Sequence, residues 1–132
     1  MKLFKSTHAH CDGPCGHYET DTLKNSAVTC RKVMEKILAL PDDNEHKTRQ
    51  QYIRYTMIKD KHAQACKQQV YILWSDYFKA AHYEQYPELI NQLYALAQLC
   101  SQVKQTVDTA VADDLIAAVG ALDTVFRQTQ QT

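Results

Sequence analysis

Glycine and proline are scarce in this chain, with three residues of each, and no long apolar run interrupts it. Fifteen basic residues balance fifteen acidic ones, so the excess positive charge that attracts nucleic acids and anionic membranes is missing. No stretch approaches the roughly 18 apolar residues that a membrane span requires. These absences predict a protein with no nucleic-acid partner and no membrane partner.

The five cysteines do not form the pattern of a disulfide framework. Only Cys11 and Cys15 lie close together, whereas Cys30, Cys66 and Cys100 fall singly within helical patterns. A free cysteine in such a position behaves as a small apolar residue. Because chains without disulfides are typical of reducing compartments, we expect a cytoplasmic protein.

Most of the chain shows the three- and four-residue apolar period of amphipathic helices. The period predicts helices at about 21–40 and 45–77, a third that opens at Pro87, and a fourth that begins near Thr109. Four such helices with short connections pack as an antiparallel, up-down-up-down bundle. The predicted fold class is therefore all-α, with a four-helix bundle at about 21–130.

The predicted core stripes differ in composition from helix to helix. They are Leu23, Ala27, Cys30, Met34 and Ile37 in the first; Tyr55, Ile58, His62, Ala65, Gln69 and Ile72 in the second; Leu89, Leu93, Leu96, Cys100 and Val103 in the third; and Leu115, Val119, Leu122 and Phe126 in the fourth. The glutamine-rich end of the chain, 128–132, is predicted to be frayed.

Residues that can bind a metal are concentrated before the first helix. The segment 8–18 reads His-Ala-His-Cys-Asp-Gly-Pro-Cys-Gly-His-Tyr, and its glycines permit a close loop. Thiolates and imidazoles favour a soft or borderline transition metal, although a tail with chance cysteines is the alternative. A structural zinc site needs a second ligand pair, which is missing, and Cys-x-x-x-Cys is not the motif of thiol oxidoreductases. A tight loop with two thiolates instead suits a square-planar ion, copper(II) or nickel(II).

Two blocks of sequence resemble the nickel-containing superoxide dismutases. The segment 10–18, His-Cys-Asp-x-Pro-Cys-Gly-x-Tyr, is similar to the family's metal-binding loop and is called the hook below. The second block is Trp-Ser-Asp-Tyr-Phe-Lys at 74–79, followed by Tyr-Pro-Glu-Leu at 86–89. The resemblance covers residues 10 to about 127, and the two blocks occur in the family's order and spacing.

The resemblance implies that a maturation protease removes a leader, residues 1–9, and leaves a nickel superoxide dismutase domain at 10–132. It implies that His10, through its new amine and its imidazole, binds one nickel ion per subunit with Cys11 and Cys15. It further implies an antioxidant oxidoreductase that converts superoxide to oxygen and hydrogen peroxide through a Ni(II)/Ni(III) cycle. The implied assembly is a homohexamer.

Four more residues acquire roles from the resemblance. Asp12, Pro14 and Tyr18 are similar to residues that order the hook, and Tyr77 is similar to a second tyrosine near the substrate approach. We assign Tyr18 and Tyr77 catalytic roles, with a packing anchor as the alternative for each.

Two positions depart from the family pattern. Ser26 and His62 stand where the family commonly has a glutamate and an arginine, which orient the imidazole that corresponds to that of His10. We expect His62, with Ser26, to replace that pair, to face the hook within reach of His10, and to make activity more pH-dependent. The alternative is a core histidine bonded to a nearby hydroxyl or carbonyl.

Two other functions remain open at this point. One is a non-enzymatic nickel or copper carrier that keeps its leader and binds the metal through side chains alone. The other is a structural bundle whose hook no longer binds metal. Metal analysis and a superoxide assay on trimmed protein separate the three.

Overall fold

Residues 17–131 are described by the computed structural model, and they form a bundle of helices. The helices are α1 (Asp21–Leu38), α2 (His46–Ile72), α3 (Ala80–Gln85), α4 (Leu89–Gln105) and α5 (Thr109–Gln130). A π-helical turn, Leu73–Tyr77, continues α2. Within residues 17–131 there is no strand, and no helix is both long and apolar enough to cross a membrane.

The four long helices pack in a ring, α1 on α2, α2 on α4, α4 on α5, and α5 on α1. Two ion pairs give the direction of α1 relative to α5. Lys24, near the start of α1, binds Asp123 at 2.9 Å, whereas Arg31, further along α1, binds the preceding Asp113 at 2.7 Å. Helices α1 and α5 therefore run antiparallel. The all-α antiparallel bundle predicted from the sequence is confirmed.

The predicted stripes of α1, α4 and α5 are buried throughout. Together with the smaller buried faces of α2 and of the π-helical turn, they form one core, and partly buried aromatic residues pack against it at one end. Long apolar side chains at the helical period leave water together in this arrangement, which is the main driving force for the bundle.

The predicted stripe of α2 is wrong by one residue. The buried residues of α2 are Lys59, Ala63, Cys66 and Val70, whereas the predicted His62 is half-buried and lies at the edge of this face. A shift of one position rotates the helix by about 100°. The stripe was missed because its first member is a lysine, which is seldom fully buried without partners.

Lys59 has those partners at the end of α4. Its ammonium nitrogen donates to the carbonyl oxygens of Val103 at 2.5 Å, Lys104 at 2.8 Å and Thr106 at 2.9 Å. The last carbonyls of a helix have no partner within the helix, and they carry its negative dipole end. Lys59 therefore satisfies three acceptors and complements the helix dipole.

Some element boundaries also differ from prediction. Helix α1 ends at Leu38 rather than at 40, and α4 begins at Leu89, two residues after Pro87. Helix α3 was not predicted, because six residues are too short to show a helical period. The predicted fraying at 128–132 is wrong up to Gln130, the last residue of α5.

The π-helical turn reorients the chain at the end of α2. The amide of Phe78 donates to the carbonyl of Leu73 at 2.9 Å, five residues earlier, which closes the wide turn. Phe78 then enters the core, and Tyr77 lies beside it at the end of the bundle. Such turns are frequent at functional sites, and this one positions the tyrosine singled out from the sequence.

Candidate functional site

The predicted hook residues His10, Cys11, Asp12, Pro14 and Cys15 lie outside the described residues, so their roles stay predictions. The structure describes residues 17–20, which connect the hook to α1 and are called the anchor below, and the side chains around them. Among residues 17–131, no group of three or more His, Cys, Asp or Glu side chains is placed to hold a metal ion.

The hook joins the bundle through two polar residues. The carboxylate of Glu19 accepts the amide of Thr22 at 2.9 Å and its hydroxyl at 2.7 Å, which caps the start of α1. Thr20 is buried, and its hydroxyl donates to Asp123 of α5 at 2.6 Å. The chain that leaves the hook is therefore fixed to the first and last helices.

Asp123 fixes the anchor to α5. Besides Thr20, its carboxylate binds Lys24 and Arg127, each at 2.9 Å. Burial raises the pKa of Asp123, but the hydrogen bond from Thr20 and the Lys24 ammonium outweigh that effect and hold the pKa below its ordinary value. The carboxylate therefore stays ionised at neutral pH.

An aromatic cluster surrounds Tyr77 at the same end of the bundle. The ring of Tyr77 lies 5.3 Å from that of Tyr18, 5.0 Å from that of Phe78 and 4.8 Å from that of Phe126. It also stacks on His82 at 5.9 Å. The structure thus brings the two predicted tyrosines into direct contact, at the point where the hook meets the bundle.

Thr129 completes this cluster and was not found from the sequence. The Tyr77 hydroxyl lies 2.8 Å from the Thr129 hydroxyl, which donates to the Phe126 carbonyl at 2.6 Å. Thr129 follows Tyr77 by 52 positions in the chain and falls in a segment predicted to be frayed. No local sequence signal identifies such a pair.

Ser26 and His62 lie on the two packed helices α1 and α2. Ser26 is buried and His62 is half-buried. The thiol of Cys30 donates to the carbonyl of Lys59 at 3.6 Å, and antiparallel packing from this point places Ser26 and His62 at one level. His62 lies about four helical turns before Tyr77. Their predicted approach to His10 stays a prediction.

The segment after Tyr77 carries an exposed positive charge. The Lys79 ammonium donates to the carbonyl of Asp76 at 2.8 Å, and the Lys79 amide donates to Nδ1 of His82 at 3.0 Å. His82 is therefore a loop-packing residue. The ring of Tyr77 stacks on the imidazole of His82.

The three cysteines of the bundle are buried and free. Burial raises the pKa of Cys30 to about 11, and a hydrogen bond to Cys100 together with burial raises that of Cys66. Since the thiolate is the form that binds metals and attacks electrophiles, these two thiols are chemically inert at neutral pH. They act as apolar residues of the core, as predicted.

The chain is similar in sequence to a family of known proteins. The chain matches the family described as nickel-containing superoxide dismutase over residues 5–130. It is 33% identical to the superoxide dismutase [Ni] of Streptomyces seoulensis and 35% identical to that of Streptomyces coelicolor, over 123 residues each. Both alignments cover 93% of this chain and 89% of the relative.

Solved structures agree with the sequence comparison. A native nickel superoxide dismutase is similar to this chain with a TM-score of 0.84 at 32% identity, over 93% of this chain and 100% of that one. A structure with nickel ligation corresponding to the oxidized state gives a TM-score of 0.85 at 32% identity, with the same coverage. The chain therefore belongs to the family of nickel-containing superoxide dismutases.

Proposed function

We propose that this chain is a nickel-dependent superoxide dismutase that becomes active when residues 1–9 are removed and His10 becomes its N-terminus. The reaction converts two superoxide anions and two protons to oxygen and hydrogen peroxide. The observation that carries the proposal is the family match over residues 5–130, which includes the complete hook. The contact between Tyr18 and Tyr77 at the end of the hook supports it.

The donor set of the hook fits nickel. Cys11 and Cys15 offer two thiolates, and trimming before His10 adds an amine and an imidazole to the backbone nitrogen of Cys11. Sulfur and nitrogen donors of this kind would suit a nickel(II) ion. When bound, nickel supplies the one-electron couple that accepts an electron from one superoxide and returns it to another.

The other residues of the site order the hook, line the path of the substrate, or contribute positive charge near that path. We assign Asp12 and Pro14 to the order of the loop, and Tyr18 and Tyr77 to the wall that substrate passes. The exposed ammonium of Lys79 contributes positive charge close to Tyr77, which favours the approach of an anion.

We assign Ser26 and His62 to the orientation of the His10 imidazole, in place of the glutamate and arginine common in the family. With a half-buried histidine in place of the family's arginine, we expect the activity to depend more strongly on pH.

The carrier function is not supported by the comparisons. Both curated relatives described above are named as superoxide dismutases. A carrier that keeps its leader would also lack the His10 amine, because the nitrogen would be a peptide amide. The N-terminal residue of protein from native cells distinguishes the two functions.

Trimming provides the direct test. Three chains should be compared after incubation with nickel: one that begins at His10, one that begins at Ala9, and one that begins at Met1. We expect about one nickel per chain and dismutase activity only for the first. Equal activity of the Ala9 chain would contradict the proposal.

Cysteine variants of the trimmed chain identify the ligands. Cys15→Ser should abolish nickel binding and activity but leave far-ultraviolet circular dichroism unchanged, because the hook precedes the helices. Cys66→Ala is the matched control, since Cys66 is buried in the bundle, and it should retain nickel. A Cys15→Ser protein with normal activity would refute the assignment.

We further propose a cytoplasmic homohexamer. Two groups of large apolar side chains are exposed on the single chain, which is typical of contact surfaces. The groups are Leu38, Tyr52, Ile53, Met57 and Ile58 on the α1–α2 hairpin, and Tyr71, Trp74, Ile90 and Tyr94 between α2 and α4. Analytical ultracentrifugation should give the mass of six chains. Met57→Glu should lower the mass of the assembly, whereas the exposed control Gln50→Glu should leave it unchanged. A monomer in every case would contradict the proposal.

A further inference from the structure

The hydrogen bonds of Thr129 determine which way the Tyr77 proton points. A threonine hydroxyl carries one proton, and that of Thr129 is donated to the Phe126 carbonyl at 2.6 Å. The Tyr77 hydroxyl lies 2.8 Å from the same oxygen. The arrangement that satisfies both contacts therefore has Tyr77 as the donor and Thr129 as the acceptor in this pair.

The surroundings of Tyr77 hold this arrangement in place. Its ring is confined by the rings of Phe126 at 4.8 Å, Phe78 at 5.0 Å and Tyr18 at 5.3 Å. Thr129 is 7% exposed, so bulk water has little access to the acceptor oxygen. A phenol that leaves Thr129 would give up a shielded hydrogen bond, and its ring has little room to turn.

The remaining hydrogen-bonding capacity of Tyr77 follows from this geometry. With its single proton given to Thr129, the phenol oxygen offers only lone pairs to any other molecule. Lone pairs attract molecules that carry a proton, such as water or hydrogen peroxide. They repel small anions, among them superoxide and azide.

We infer that Thr129 is a positioning residue that makes Tyr77 a hydrogen-bond acceptor toward the site. Tyr77 thereby receives the protonated product or a water molecule and does not hold anions. The inference rests on the proposed function, because it presupposes that Tyr77 borders the path of substrate. It gives the last turn of α5 a part in selecting between anions and neutral molecules.

Valine in place of Thr129 tests the inference because it keeps the shape of the side chain and removes the acceptor oxygen. The freed phenol proton of Tyr77 could then be donated to an anion. Inhibition of the trimmed, nickel-loaded enzyme by azide should strengthen, with an inhibition constant lowered about tenfold, as one hydrogen bond to a charged group predicts. Activities are compared per bound nickel.

Three control variants give the inference its specificity. Thr129→Ser keeps the hydroxyl and should retain the parent inhibition constant. Thr124→Val removes a hydroxyl of the same helix that donates to the carbonyl of Gly120 at 3.1 Å, away from Tyr77, and should have no effect. In the Tyr77→Phe background, Thr129→Val should no longer change azide inhibition, because no phenol proton remains to be freed.

A measurement that needs no nickel decides the hydrogen-bond direction independently. The Raman doublet of tyrosine distinguishes a donating phenol from an accepting one, and the difference between the parent and Tyr77→Phe isolates Tyr77. We expect a donor in the parent chain and a changed doublet in Thr129→Val. An accepting Tyr77 in the parent, or azide inhibition of Thr129→Val within twofold of the parent, would overturn the inference. A parent without dismutase activity would instead contradict the proposed function.

Discussion

Replacement of Lys59 by methionine removes the ammonium that ends α4 and keeps the apolar stem. Lys59 is 1% exposed, so the methionine would occupy nearly the same buried volume. The change leaves the carbonyls of Val103, Lys104 and Thr106 without their present donor. Its effect therefore measures the loss of these interhelical bonds and of the ion pair with Asp60 at 3.6 Å, rather than a loss of side-chain packing.

The expected loss in the free energy of unfolding depends on how deeply each of the three hydrogen bonds is buried. The bond to Val103 is buried, and a buried carbonyl without a donor costs about 1–3 kcal/mol. The bonds to Lys104 and Thr106 are part-buried, so water can replace much of each. Methionine also avoids the cost of burying a charge, which offsets part of the loss. We expect the free energy of unfolding to fall by about 2 kcal/mol.

Urea unfolding of the metal-free chain, followed by far-ultraviolet circular dichroism at one fixed protein concentration, provides the assay. Lys67→Met is the matched control, because the Lys67 ammonium donates one part-buried bond to the Ser101 hydroxyl at 2.7 Å. This control should lose no more than about 1 kcal/mol. If Lys59→Met were as stable as Lys67→Met, the carbonyl cap would not stabilise the bundle and the reasoning would fail.

Three further predictions concern other sites. Asp123→Asn should reduce the free energy of unfolding at neutral pH, because folding lowers the pKa of the Asp123 carboxyl. The stability that this carboxylate contributes is present above its unfolded-state pKa of about 3.9. It disappears as the pH falls through the folded-state pKa. Urea unfolding at neutral and acid pH checks this, with the exposed Asp113→Asn as control, and a loss independent of pH would contradict it. Gly120→Ala should raise stability by about 0.5–1 kcal/mol, since an added Cβ meets no atom within 4 Å, and an unchanged urea midpoint would refute this. His62→Gln should flatten the pH profile of dismutase activity, and an identical profile would remove the assigned role of His62.

The helices with long apolar side chains could be predicted from the sequence. Leu23 and Met34 in α1, and Leu115 and Phe126 in α5, recur at the helical period and are buried as predicted. This succeeded because the period of a helix is local and the apolar side chains of one stripe leave water together. The predicted start of each long helix lies within two residues of the observed start.

The face of α2 could not be predicted in the same way. Its burial depends on Lys59, and a lysine is buried only where another element supplies several acceptors. Those acceptors are the carbonyls at the end of α4, more than 40 positions away in the chain. The pattern of α2 alone favours Ile58 over its neighbour Lys59, although Ile58 is exposed and Lys59 is buried.

The sequence by itself determined the helical architecture and predicts the donor chemistry of the hook, because both depend on residue type and short spacing. Tertiary structure alone decided which polar groups meet: Thr20 with Asp123, and Tyr77 with Thr129. A buried hydroxyl or carboxylate must find partners wherever the folded chain provides them, and these partners lie 103 and 52 positions apart. Periodicity carries no information over such separations, so the surroundings of the two tyrosines became visible only in the folded bundle.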